Sequence, residues 1–130
     1  MNNAISTLIA AKPDRLRDGL HVLLSAAPQV SAIQQVDDLE STLQLVTEHP
    51  PGLVVLDTNL DVTSVSELLR RIKQELPALP CLVVVANEEQ ERAACEAGAD
   101  AVLLKGFCSR DLITLIEQLV DRESPAEVAS

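Results

Sequence analysis

The chain has 130 residues, a formal net charge of −10 and a sequence pI of about 4.5. That charge repels phosphates and argues against direct contact with nucleic acid. Hydrophobic residues make up 47%, too many for a disordered segment, and Phe107 is the only aromatic, so the core must be Leu, Val, Ile and Ala and no platform exists for stacking bases or sugars.

The first four residues, Met1-Asn2-Asn3-Ala4, carry no basic stretch and lead into no long apolar segment, so no signal peptide is expected. Residues 6–10 form the first short apolar run and predict a strand. Residues 14–27 place Leu16, Leu20, Leu23 and Leu24 on one helical stripe, and Pro28 stops it. Residues 30–36 are more polar and read as an edge strand. Residues 38–49 predict a helix with Asp37 or Asp38 as cap, ended by Pro50-Pro51-Gly52. Residues 53–56 are a continuous Leu-Val-Val-Leu strand running into Asp57.

Residues 64–76 predict a helix opened by Ser64 or Ser66, with Val65, Leu68, Leu69, Ile72 and Leu76 inward. A further buried strand spans residues 81–86, and a short helix spans 88–97. Three glutamates in that helix's first turn suit its dipole, and Gly98 is placed to close it. A last strand covers residues 101–104 and a last helix covers 109–122. One domain is thus expected over 1–122, with 123–130 as a frayed end or the start of a linker.

Nearly continuous apolar strands alternating with amphipathic helices predict an α/β fold. Five strand–helix units with right-handed crossovers give a (βα)5 doubly wound, parallel five-stranded sheet. Sites in such sheets form at the carboxyl ends of the strands, near the reversal of strand order. Here those ends carry Ala11 and Lys12, Asp57, Val85 and Ala86, and Lys105.

Most catalytic readings lose their support at this point. No GxGxxG follows the first strand, and neither GxxxxGK[ST] nor GxSxG occurs. His21 and His49 fall on helices, away from the strand ends. Cys81, Cys95 and Cys108 are odd in number and lack CxxC spacing, which fits a reducing, cytoplasmic compartment. Cys81 reads as a small core residue, whereas Cys95 and Cys108 are candidate exposed thiols. No enzyme, cofactor or metal site is expected, and no run approaches a membrane span. Asp57 and Lys105 remain. They suit a carboxylate that accepts a phosphoryl group beside a neutralising ammonium. By themselves they suit a structural ion pair at the sheet edge better.

The whole pattern resembles the receiver domain of bacterial response regulators, most of all receivers whose output is a LuxR-type helix-turn-helix domain. The segments that carry the resemblance are Leu16-Arg17-Asp18-Gly19-Leu20, Leu53-Val54-Val55-Leu56-Asp57-Thr58-Asn59-Leu60, Leu68-Leu69-Arg70-Arg71-Ile72-Lys73, Ala97-Gly98-Ala99-Asp100-Ala101 and Leu103-Leu104-Lys105-Gly106. The resemblance implies a flavodoxin-like fold with strand order 2-1-3-4-5. It implies that Asp57 matches the phosphoacceptor, Lys105 the phosphate-contacting lysine, and Asn59 the position whose backbone carbonyl helps hold Mg²⁺. The departures are equally specific. The acidic pair falls on Ala11 and Lys12, the switch hydroxyl on Val85 and the switch aromatic on Val102. Asp61 and Val62 replace the usual Pro-Gly.

These departures have a physical cost. Mg²⁺ needs hard oxygen ligands, which Ala11 and Lys12 do not supply. A unit charge pair at 4 Å is worth about 4 kcal/mol at an effective dielectric of 20, so a divalent ion near Lys12 meets roughly 8 kcal/mol of repulsion before screening. Phosphoryl transfer to a carboxylate leans on that metal. The expectation is an atypical receiver, or pseudo-receiver, that acts in signal transduction or transcription regulation through protein–protein contacts, its Asp57 inactive and ion-paired with Lys12 in a pair shared with Lys105, the alternative being a Lys12 that points to solvent. Val85 and Val102 are expected to pack as plain core residues. An output domain or regulatory protein is the expected partner, a homodimer through the last helix is a further one, and a histidine kinase is not expected to phosphorylate the chain. The alternatives are a conventional phosphoacceptor on Asp57 and a small-molecule sensor using the emptied pocket between Ala11, Asp57 and Lys105.

Overall fold

The structure, a computed structural model, describes residues 5–60 and 62–122, without the side chains of residues 62, 63 and 120–122. The roles read for Asp61, for the side chains of Val62 and Val120 and for the tail 123–130 lie outside the described residues. Strands β1 (Ile5–Ala10), β2 (Val30–Val36), β3 (Leu53–Asp57), β4 (Cys81–Val85) and β5 (Ala101–Leu104) alternate with helices α1 (Arg15–Ala26), α2 (Leu39–Glu48), α3 (Val62–Glu75), α4 (Glu88–Ala97) and α5 (Ser109–Arg122). All strand pairs are parallel, in the order β2-β1-β3-β4-β5. This is the flavodoxin-like arrangement that the alternation of runs predicts. The order reverses between β1 and β3, so Ala11 and Asp57 leave neighbouring strands side by side.

Burial explains the composition of each strand. Every residue of β3 and β4 is buried, and both strands are continuously apolar up to Asp57 and Val85. The edge strand β2 has no fully buried residue, which accounts for its serine and glutamines. Alternate side chains feed two cores. Leu8, Ala10, Val54, Leu56, Val83 and Val85 meet α2, α3 and α4 on one face. Ile9, Ala11, Leu53, Val55, Leu82 and Val84 meet α1 and α5 on the other.

The helix caps follow the sequence closely. Asp14 Oδ1 accepts from the Arg17 N–H at 3.0 Å, and Asp38, not Asp37, caps α2 through the Ser41 N–H at 2.6 Å. Gly98 closes α4 in the left-handed region at φ 108°. Helix α3 departs from expectation. It already runs at Val62, so Ser64 and Ser66 lie inside its first turns rather than capping it; no Gly or Pro between 62 and 64 interrupts it. Gly52 does more than end a helix pattern: a Cβ there would sit 2.6 Å from the Ile5 Cβ.

One polar network ties the amino ends of β4 and β5 to α3. Asp100 Oδ2 accepts from Lys73 Nζ and from the Cys81 N–H, each at 2.8 Å. Lys73 Nζ also donates to the Leu79 carbonyl at 2.8 Å. Beside this network Cys81 is wholly buried, and desolvation pushes its thiol up to about 12 from an ordinary 9, with Lys73 opposing and Asp100 reinforcing the shift. Cys81 is thus the inert core thiol that the sequence suggests, and Cys95 and Cys108 are exposed.

The sign of the pH effect follows directly. The unfolded thiol ionises near 9 and the folded one only near 12, so the unfolded state releases its proton first and stability falls as pH rises between them. Urea denaturation at pH 8.5 and 10.5 is expected to show a loss in the wild type larger by roughly 1–2 kcal/mol than in Cys81→Ala.

Candidate functional site at the carboxyl edge of the sheet

The carboxyl ends of β1, β3 and β4, with the turn after β5, bring Asp57 and Lys105 together. Asp57 is the last residue of β3, in register with Val84, and has no exposed surface. Its Oδ1 accepts from the Asn59 N–H at 3.0 Å and lies 3.4 Å from Lys105 Nζ. Its Oδ2 is buried with no hydrogen-bond partner. The carboxylate is therefore held entirely through one oxygen. Lys105 is one-third exposed, so its ammonium reaches Asp57 from the solvent side of the edge. Its backbone is fixed by an N–H to the Val85 carbonyl at 2.8 Å.

Lys12 does not join them. It is exposed and, among the described residues, forms no ion pair with Asp57. The expected Lys12–Asp57 pair is thus absent. The reason is steric and entropic: β1 ends at Ala10, Lys12 precedes Pro13 on an exposed turn, and a long side chain gains little by being held at a surface. Ala11 does not line an open pocket either. It is completely buried and belongs to the core under α1 and α5. Val85 and Val102 do what plain strand residues do and pack on the α2–α4 side, Val85 fully buried and Val102 partly.

Two contributors were not singled out from the sequence. Arg17, in the first turn of α1, brings Nη1 to 3.5 Å from the Ala11 carbonyl, while its Nε is buried without a partner. A guanidinium therefore lies against the strand end where the resemblance places an acid. The signal for it was the Asp14 cap, which puts Arg17 at the third helical position, one turn above the end of β1. The second is Gln90, whose Oε1 lies 2.7 Å from the Ala86 N–H and 2.9 Å from Thr58 Oγ1. The Thr58 hydroxyl is also 3.1 Å from the Val84 carbonyl, so its one proton is shared between two acceptors. Nothing in the sequence near Asp57 pointed to a residue 33 positions further on.

The residues at this edge do not fit Mg²⁺. That ion is held by carboxylates in near-octahedral oxygen geometry. Among the described residues, Asp14 and Asp38 at this edge are taken up as helix caps, Asp57 is ion-paired with Lys105, and Arg17 brings a second cation to the same edge. Among the described residues, no three Asp, Glu, His or Cys side chains gather closely enough to hold a metal ion.

Comparison with known proteins agrees with the fold. The response regulator receiver domain family matches residues 8–117. The nitrate/nitrite response regulator NarL of Escherichia coli (strain K12) is 29% identical over 105 residues, 79% of this chain and 49% of that protein. A protein-glutamate methylesterase/protein-glutamine glutaminase of Syntrophus aciditrophicus is 34% identical over 113 residues, 82% of this chain but 32% of that protein. The chain thus spans half or less of the length of these relatives. Among solved structures, a LuxR-family two-component response regulator from Aurantimonas superposes with TM-score 0.81 at 22% identity, covering 97% of this chain and 94% of that one. The receiver domain of NtrX from Brucella abortus superposes with TM-score 0.77 at 24% identity, covering 92% of this chain and all of that one. Similarities at this level establish the shared fold.

The ion pair sets a measurable coupling. Lys105→Met leaves the buried Asp57 carboxylate without its cation and is expected to cost about 1–2 kcal/mol in urea denaturation at pH 7, less than a fully buried pair because Lys105 is partly solvated. In the Asp57→Asn background the same change is expected to cost under about 0.5 kcal/mol.

Proposed function

The chain belongs to the response regulator receiver domain family, and on that premise we propose that it is an atypical receiver that signals by being bound, its Mg²⁺-dependent phosphorylation lost. The observation that carries the reading is the charge set around Asp57. Among the described residues, the ion-pair partner of this buried carboxylate is Lys105 alone, a guanidinium stands against the Ala11 carbonyl, and no group of acids completes a metal site. Transfer to a carboxylate requires charge on the incoming phosphoryl group to be neutralised as it develops. A single lysine already paired with the acceptor leaves most of that charge unmet.

The switch residues support the same reading. Val85 and Val102 are packed in the core and carry no hydroxyl or ring to report on an added group. A two-state element biased by phosphate therefore lacks its usual parts. The domain would act through protein contacts in signal transduction or transcription regulation, with an output domain or regulatory protein as partner and without enzymatic activity of its own. A homodimer through α5 is compatible with this role. Among the described residues no helix is long and apolar enough to cross a membrane, and we place the domain in the cytoplasm.

A second reading, a conventional phosphoacceptor on Asp57, is favoured by one observation: the buried Oδ2 has no hydrogen-bond partner, so it is uncommitted once a movement of the edge opens it to a donor. The small-molecule reading finds no such support, since Ala11 is core rather than pocket wall.

The two readings separate in one experiment. After incubation with radiolabelled acetyl phosphate and Mg²⁺, the chain is expected to carry no label above the Asp57→Ala control. With beryllofluoride and Mg²⁺, the amide signals of Asp57, Thr58, Asn59 and Lys105 are expected to stay in place. Label on Asp57, or movement of those signals, establishes the conventional receiver.

A further inference from the structure

We propose that Gln90 is a built-in clamp, holding α4 to the loop after Asp57 and so fixing the face of α4 without any added group. The proposal rests on the reading above, in that it names what holds the domain in one conformation when no phosphoryl group does.

The geometry joins three segments at one atom. Gln90 lies in the first turn of α4, and its Oε1 takes the Ala86 N–H, at the end of β4, at 2.7 Å. The same oxygen takes the hydroxyl of Thr58, the residue after Asp57, at 2.9 Å. Thr58 is 4% exposed, and its own N–H goes to the Val84 carbonyl at 3.1 Å. The next amide, of Asn59, is bound to Asp57 Oδ1. A chain of bonds therefore runs from the Asp57 carboxylate through Asn59 and Thr58 to Gln90 and the helix.

Part of this arrangement is ordinary capping. Asn87 Oδ1 accepts from the Gln90 N–H at 2.9 Å, and a glutamine at the third helical position commonly reaches back to a free N–H near the helix start. Capping accounts for the bond to Ala86 and needs nothing from Thr58, which is 32 residues away in sequence. The cross-loop bond is the part that couples α4 to the Asp57 loop. The Ala86 N–H, a donor at the carboxyl edge, is meanwhile occupied by the capping bond to the same oxygen. Val85 has no hydroxyl to make a connection of this kind, and Gln90 makes one from α4.

The test is backbone amide hydrogen exchange on the full chain, without phosphodonor, comparing wild type with Gln90→Ala and Thr58→Val. The clamp requires communication in both directions. In Gln90→Ala the Thr58 and Asn59 amides are expected to exchange roughly three- to tenfold faster, the effect of losing one ordinary hydrogen bond, besides the Ala86 amide itself. In Thr58→Val the Ala86, Gln90 and Glu91 amides are expected to accelerate by a similar factor, and Thr58→Ser, which keeps the hydroxyl, is expected to restore protection. Should Gln90→Ala open only Ala86 and the first turn of α4 while Thr58 and Asn59 keep their wild-type rates, Gln90 is a local cap and the clamp is overturned. Gln90 is half-buried, so its variant is read even if Thr58→Val fails to fold. Phosphorylation of Asp57 by acetyl phosphate would overturn the functional reading above and leave this exchange comparison standing.

Discussion

A parallel sheet covered on both faces confines its unmet polar groups to the strand ends, and here the carboxyl edge has to settle a buried carboxylate from within the chain. Asp57 has no exposed surface, so its charge cannot be left to water. Lys105 supplies the countercharge from the turn after β5, and the Asn59 amide supplies a hydrogen bond from the next loop. Lys105 can reach Asp57 because β3 and β4 lie side by side and β5 follows β4, whereas the Asn59 amide is local to the loop. Strand order thus governs the electrostatics of the site.

The same constraint explains how the edge tolerates its missing acids. Where the family resemblance places a carboxylate, Ala11 turns into the core beneath α1 and α5, exchanging a solvated charge for apolar burial. The Arg17 guanidinium then lies against the Ala11 carbonyl. On the other side of Asp57, Val85 fills space among α2–α4 side chains and Gln90 takes the amide that follows it. Ala11 and Val85 put apolar side chains into the two cores, Lys12 stays exposed, and polar contacts at the edge are made by Arg17 and Gln90 reaching in from helices. Asp57 Oδ2 and the Arg17 Nε stay buried without partners at this edge.

The opposite edge carries a stabilising network of a different kind. Asp100 holds both Lys73 and the Cys81 amide, so α3, the start of β4 and the turn before β5 are pinned together. This separates labour within the sheet. The amino edge is closed by a carboxylate whose Oδ2 takes two donors, and the carboxyl edge keeps a buried carboxylate whose Oδ2 has no partner.

The amino-acid sequence by itself determined the elements, their order and the covered, parallel character of the sheet, because hydrophobic periodicity and caps such as Asp14, Asp38 and Gly98 act over a few residues. It also located Asp57 and Lys105 as strand-end charges, since a charge directly after an apolar run has few other places to go. The tertiary structure alone decided which cation meets Asp57. Lys12 and Lys105 looked alike in the sequence, yet Lys12 lies on an exposed turn before Pro13 while Lys105 is anchored to the Val85 carbonyl beside the buried carboxylate. It alone brought in Arg17 and Gln90, one turn into helices whose faces toward the edge depend on how they pack. Contacts between side chains distant in sequence are set by helix placement to within an ångström, and no local pattern carries that distance.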